Sequence, residues 1–175
     1  MIGLATGLRK KKELFKVKGT SLVEIDGKYY VHTKGKNGLV RDAPIIGDEE
    51  TVAKVVSMFQ KAGEERLFGE TGVFGKLPNY DQHVLRSIYA VQIYCAHERP
   101  LESLPEEDRY CCSRDYAGVI LDKKAMKAAS EALGHHRIDV VAYSYLWPMI
   151  TMDPEIQAFF GIRGKTAGKP KKKDD

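Results

Sequence analysis

Three aspartates stand immediately before apolar residues at helical spacing, and this repeated arrangement constrains the fold more than any other feature of the chain. A carboxylate at such a place accepts hydrogen bonds from first-turn N–H groups that no helical carbonyl reaches. Asp48 precedes Val52, Val55, Val56 and Phe59, which form one apolar face closed by Gly63. Asp81 precedes a helix of roughly Gln82–Ala96, with Val84, Leu85, Ile88 and Val91 turned inward. Asp122 starts a third helix, with Met126, Ala129 and Leu133 on one face and Gly134 as its stop. A short helix over Ile138–Leu146 and a small amphipathic one near Pro154–Phe160 follow.

Upstream of Asp48 the period changes to two. Ser21–Asp26 alternates, Asp26-Gly27 offers a tight turn, and Lys28–Thr33 is rich in aromatic and β-branched residues, which predicts a β-hairpin. A second turn over Lys34–Gly38 returns the chain as a third strand, Leu39–Ile45, stopped near Pro44. The expected fold class is therefore α+β, mainly α, with a small three-stranded antiparallel sheet. Glu64–Tyr80 reads as loop and Glu98–Asp115 as a long polar insertion.

With 175 residues, 43% hydrophobic and 30% charged, the chain has apolar material for one domain and too little length for two of typical size. The expectation is one domain over residues 1–160 and a basic, disordered tail over 161–175. No run reaches the ~20 apolar residues of a membrane span, and Met1–Lys12 is too short and polar for a secretory signal. Cys95, Cys111 and Cys112 make no CxxC pair and have no nearby histidine ladder, so neither zinc nor a disulfide framework is expected. A cytoplasmic protein with reduced thiols and no membrane partner is the expected setting. The net charge of +4 is unevenly spread. Within residues 1–20, Arg9, Lys10, Lys11, Lys12, Lys16 and Lys18 face only Glu13, and at the other end Lys165, Lys169 and Lys171–Lys173 outnumber Asp174 and Asp175. Basic ends on a mildly acidic body point to a polyanion, DNA or RNA, as partner.

Five short boxes carry chemistry in one order. Thr6-Gly7-Leu8-Arg9 is followed by Glu13-Leu14. Gly35-Lys36 lies in the second hairpin turn, with Arg41 and Pro44 downstream. His83-Val84-Leu85-Arg86 opens the second capped helix, Leu133-Gly134-His135 ends the third, and Ala142-Tyr143-Ser144-Tyr145-Leu146 comes last. Moving a phosphodiester onto an enzyme hydroxyl needs a nucleophile, cations for the non-bridging oxygens and an acid for the leaving oxygen. An arginine fork matches a phosphate bidentately and stays charged. Lysine or histidine can supply a proton, and a tyrosine beside such cations can attack. His83 and Arg86 are three apart and so share a helix face.

In sequence and order these boxes resemble the TGLR..EL, GK…R..P, HxLR and LGH boxes and the nucleophile segment of the tyrosine recombinases. Leu133–Trp147 is most similar to the integrases of phages and conjugative elements. The resemblance runs from Thr6 to Trp147 and implies a tyrosine-recombinase-like catalytic domain that cuts and rejoins double-stranded DNA. It assigns Tyr145 as the nucleophile of a 3′-phosphotyrosine intermediate. Arg9, Arg86 and His135 would hold the non-bridging oxygens, Lys36 on the hairpin turn would protonate the 5′-oxygen, and His83 would act as acid or base toward Tyr145. It further implies no cofactor and no metal, self-association into a tetrameric synapse on DNA, and a nucleoid-associated location.

The chain departs from the family pattern in three places. Glu13 follows Arg9 by four residues where the box usually has three, as if one lysine were extra. His135 to Tyr145 is ten residues, one more than the commonest count; strict counting would substitute His136, and Tyr143 stands as second choice for the nucleophile. Family members usually carry an N-terminal clamp domain and a helix before the first arginine, whereas this chain starts a few residues upstream of Arg9. A fragment, a misassigned start and an inactive remnant are all open. Two other functions fit parts of the pattern. A non-catalytic helix-turn-helix-like DNA-binding module would use Ala128–Leu146 but leaves the HVLR box and Lys36 without a role. A type IB topoisomerase or telomere resolvase would share the chemistry.

Overall fold

The computed structural model describes residues 1–35, 38–135 and 137–166. It opens with a five-residue helix, α1 (Ile2–Thr6), whose Ile2, Gly3, Ala5 and Thr6 are buried. Between Arg9 and Phe15 the chain winds as one π-helical turn, Lys10–Leu14. The Leu14 N–H bonds the Arg9 carbonyl at 2.9 Å and the Phe15 N–H bonds the Lys10 carbonyl at 3.2 Å. Such i→i+5 bonding widens the turn by one residue. It takes up the extra residue between Arg9 and Glu13 while keeping their side chains together.

The hairpins form as the alternation predicts. Strands β1 (Leu22–Ile25), β2 (Lys28–Lys34) and β3 (Val40–Pro44) make an antiparallel sheet in that order. Val31 lies opposite Leu22 on one side and Ala43 on the other. Asp26 and Gly27 have φ of 50° and 72°, the two positive values that a hairpin turn matching strand twist requires. Val31 and Ala43 pack with Val55, Val56 and Phe59 of α2 (Glu49–Ala62).

Each of the three aspartates caps its helix. The Asp48 carboxylate accepts from the Thr51 N–H ahead of α2, and Asp81 accepts from the His83 and Val84 N–H groups ahead of α3 (Gln82–His97). Strands β4 (Arg109–Cys111) and β5 (Ile120–Asp122) come next, and Asp122 then accepts from the Lys124 N–H ahead of α4 (Lys123–Ala132). Three short helices complete the described chain: α5 (Ile138–Ser144), α6 (Pro148–Thr151) and α7 (Pro154–Phe159).

The apolar interior has two parts. One gathers α1, the sheet and α2 around Leu8, Leu14, Val31 and Phe59; the other gathers α3 to α6 around Tyr89, Met126, Leu133 and Leu146. Leu8 and Leu14 set the Arg9 segment in the first part, and the Arg9 side chain meets His135, which follows α4 of the second.

Two expectations from sequence need adjustment. The polar insertion over 98–115 is not without a strand of its own: β4 pairs with β5, with Arg109 opposite Asp122 and Cys111 opposite Ile120. Arg99 holds the approach to that ribbon through bonds to Asp122 at 2.7 and 2.8 Å and to Asp108 at 2.9 Å. Nor is the tail free from residue 161 onward. Ile162 is buried, the Arg163 Nη2 donates to the Cys95 carbonyl at 2.8 Å, and Lys165 pairs with Glu98. One buried isoleucine and two bonds to the end of α3 dock this stretch. The expectation of disorder over 167–175 lies outside the described residues. Among those described, no helix is long and apolar enough to cross a membrane.

Candidate active site

Gly7 sets the geometry of the first box. It ends α1 at φ 59°, and a Cβ there would stand 2.3 Å from the Tyr89 ring, so only glycine fits. The chain then buries Leu8, and Arg9 (φ −74°, ψ 129°) enters the π turn in extended conformation. Glu13, on that turn, is fully buried. Its Oε2 accepts the Arg9 backbone N–H at 2.7 Å and its Oε1 accepts the Arg9 Nη1 at 3.1 Å. Arg41, from β3, donates its Nη2 to Oε2 at 3.2 Å, and the Arg86 Nη1 lies 3.8 Å from the same oxygen. Gly35 also approaches closely: a Cβ there would meet Glu13 Oε1 at 2.8 Å.

Arg86 projects from the first turns of α3 into the interior. Its Nη1 donates to the Gly7 carbonyl and its Nη2 to the Leu133 carbonyl at 3.2 Å. It thus ties the first box to the end of α4, where Leu133 and Gly134 turn the chain outward. His135 follows that turn. Its Nε2 lies 3.2 Å from Arg9 Nη2 and 3.2 Å from the Tyr145 hydroxyl.

Tyr145 sits just past α5, at φ −131° and ψ −23°, and is 8% exposed. The Val141 carbonyl accepts from the N–H groups of both Tyr145 and Leu146, at 3.0 Å each. Tyr145 is therefore outside the regular helix, and the bonding again widens by a residue. The exposed His83 ring stacks on the Tyr145 ring at 5.2 Å and 27°, and the Arg86 guanidinium lies over the same Tyr145 ring, 5.5 Å from its centre.

Three guanidinium groups thus share one carboxylate, and the surplus positive charge shapes the titration of the site. Burial, then the facing charges of Arg9, Arg86 and Arg41, bring the His135 imidazole down to about 4, against the pull of Glu13. Burial, then Arg9, lowers Arg86 to about 10. Burial also lowers Arg41, with Glu13 opposing it. Among the described residues the Arg41 Nε and Nη1 have no hydrogen-bond partner. An anion drawn to such a cluster would sit beside a phenol already bonded to an imidazole.

The structure brings together Arg9, His83, Arg86, His135 and Tyr145 from four separate stretches of chain. Lys36 and the alternative His136 lie outside the described residues. Tyr143 is engaged elsewhere: its hydroxyl accepts the Ser113 N–H at 2.9 Å, and its ring stacks on Tyr116 at 5.6 Å and 13°. The sequence boxes contained Glu13 and Arg41 without giving either a role, because their roles come from meeting each other across the fold. A cavity of about 790 Å³ borders the site at Arg41 and Gly134, but none of Arg9, His83, Arg86, His135 or Tyr145 lines it. Among the described residues, no three His, Cys, Asp or Glu side chains group as metal ligands. Comparison of the chain with known protein families, with curated proteins and with solved structures found no match.

Proposed function

We propose that this protein breaks and rejoins DNA phosphodiesters through a phosphotyrosine at Tyr145, and that it does so in site-specific recombination. The observation that carries the reading is the hydroxyl of Tyr145 on the His135 imidazole, beside an Arg9–Arg41–Arg86 cluster that, among the described residues, Glu13 alone offsets. Arg9, 17% exposed at its side chain, is the guanidinium able to meet a phosphate directly. Arg86 and Arg41 lie deeper and act through their charge and through the segments they hold. In the forward step the Tyr145 oxygen bonds to phosphorus and the bond to the 5′-oxygen breaks; Lys36 is the proposed acid for that oxygen. In the reverse step a 5′-hydroxyl displaces the tyrosine. The resemblance of the boxes to tyrosine recombinases narrows this chemistry to recombination.

A DNA-binding module without chemistry is less well supported. The exposed start of α5 carries Arg137 and Asp139 paired with each other, rather than a row of free bases. The test uses the full chain and a pool of nicked duplexes of randomised sequence, resolved on a denaturing gel. The proposal expects a covalent protein–DNA band that Tyr145→Phe abolishes while DNA binding persists. Strands joined to new partners indicate recombination, relaxation of a separately supplied supercoiled plasmid without strand exchange indicates a topoisomerase, and binding without any covalent band contradicts the proposal.

A further inference from the structure

We infer that His135 is the base that takes the proton of Tyr145, and that Arg9 blocks it until a phosphodiester draws the guanidinium away. The inference rests on the reading above and goes further, because it separates the proton acceptor from the groups that hold phosphate. It follows from one nitrogen. The Arg9 Nη2 and the Tyr145 hydroxyl both lie 3.2 Å from His135 Nε2. A guanidinium has donors and no lone pair. Nε2 must therefore be the acceptor, which makes the imidazole neutral with its proton on Nδ1. The Tyr145 hydroxyl then points its own proton at the same lone pair.

One lone pair cannot serve two donors fully. While Arg9 occupies it, transfer of the Tyr145 proton is disfavoured twice over. The lone pair is shared, and an imidazolium would form among Arg9 from the first box, Arg41 from β3 and Arg86 from α3, which, among the described residues, Glu13 of the π turn alone offsets. Burial first, and then these same charges, hold the titration of His135 down. His83, also on α3, stacks on the ring of Tyr145, whereas the hydroxyl bonds His135. His83 orients the phenol, and His135 receives its proton.

A phosphodiester changes both terms. Its non-bridging oxygens are better acceptors for a guanidinium than an imidazole nitrogen is, because the bond is charge-assisted and bidentate. Arg9 moves to them and frees Nε2, and the added negative charge makes an imidazolium tolerable. The Tyr145 proton passes to Nε2 as its oxygen bonds to phosphorus. The electron pair of the broken P–O bond stays on the 5′-oxygen, which takes a proton from Lys36 or water. In rejoining, the 5′-hydroxyl gives its proton back to Lys36 or water as its oxygen bonds to phosphorus, the P–O bond to Tyr145 breaks, and the imidazolium returns its proton to the departing tyrosine oxygen. The nucleophile is thus inactive until its substrate arrives.

Two measurements test this. Ring-nitrogen NMR of histidine-labelled full-length protein, with inorganic phosphate as the probe, reads the gate without any covalent chemistry. We expect a neutral His135 protonated at Nδ1 and titrating well below 6. Phosphate should raise that titration by about 1–3 pH units, and Arg9→Gln should raise it without phosphate. A proton on Nε2, or a titration that phosphate leaves unmoved, overturns the gate. In the adduct assay, His135→Asn can still bond a phosphate oxygen but cannot take a proton. It should slow adduct formation by about 10²–10⁴-fold, and DNA affinity should hold. An unslowed His135→Asn removes His135 as the base. If the wild type forms no adduct, the proposed function fails, while the phosphate titration still decides the gate.

Discussion

Glu13 is fully buried, and its charge is offset by Arg9 at 3.1 Å, Arg41 at 3.2 Å and Arg86 at 3.8 Å. Burying a carboxylate is costly unless cations and hydrogen bonds compensate, and here it receives both, including the Arg9 backbone N–H at 2.7 Å. Glu13→Gln leaves three guanidinium groups facing one another without a counter-charge. It should lower unfolding free energy by about 3–5 kcal/mol in urea titrations, and phosphate in the buffer should restore part of that loss by standing in for the missing anion. A variant as stable as the wild type, and indifferent to phosphate, would show that the ion cluster is not what secures this seam. The residues that bear the candidate chemistry were legible in the sequence as Arg9, His83, Arg86, His135 and Tyr145, because each sits in a short local box. Arg41 and Glu13 were not assigned, since a buried ion pair between a π turn and a strand leaves no mark at any fixed spacing.

Among the elements, those with a local signal could be read and those without one could not. The three capped helices and the Asp26-Gly27 hairpin follow from residues within a turn of one another. Helices α1 and α6 and strands β4 and β5 span five, four, three and three residues, too few to display a period. The π turn was visible only as an odd count between Arg9 and Glu13. Asp122 shows how a cap can also be a tertiary anchor: it starts α4 and receives Arg99 at 2.7 and 2.8 Å. Chiefly through those Arg99 bonds, its carboxyl is held down to about 2. A depressed carboxyl contributes stability above the unfolded value of about 3.9 and loses it as pH falls toward about 2. Asp122→Asn keeps a capping oxygen but no charge. It should be less stable than wild type at pH 7, with the gap closing between about pH 4 and the value of about 2. Asp122→Ala should cost a further ~0.5–2 kcal/mol for the lost cap. Thermal unfolding across that pH range checks both, and a pH-independent gap would contradict the Arg99–Asp122 account.

For the molecule as a whole, the candidate site lies where the two apolar cores meet, so both must be intact for Arg9 and Tyr145 to face one another. Ile162 fills the second core, and Arg163 and Lys165 tie the chain beyond α7 to Cys95 and Glu98. On the proposed reading, removing 167–175 should weaken binding to all DNA sequences alike and flatten the salt dependence, since Lys169 and Lys171–Lys173 leave with it. Removing 162–175 should destabilise the fold as well. An unchanged salt slope in the shorter truncation would show that the basic end takes no part in binding. Trapping the full-length protein on nicked duplexes of randomised sequence, then mapping the digested adduct by mass spectrometry, decides whether Tyr145, held by His135 beside three arginines, is the residue that joins DNA. A nucleotide remnant is expected on the peptide at Tyr145, retained in Tyr143→Phe and absent in Tyr145→Phe; a remnant on Tyr143, or an adduct that survives Tyr145→Phe, would contradict that role.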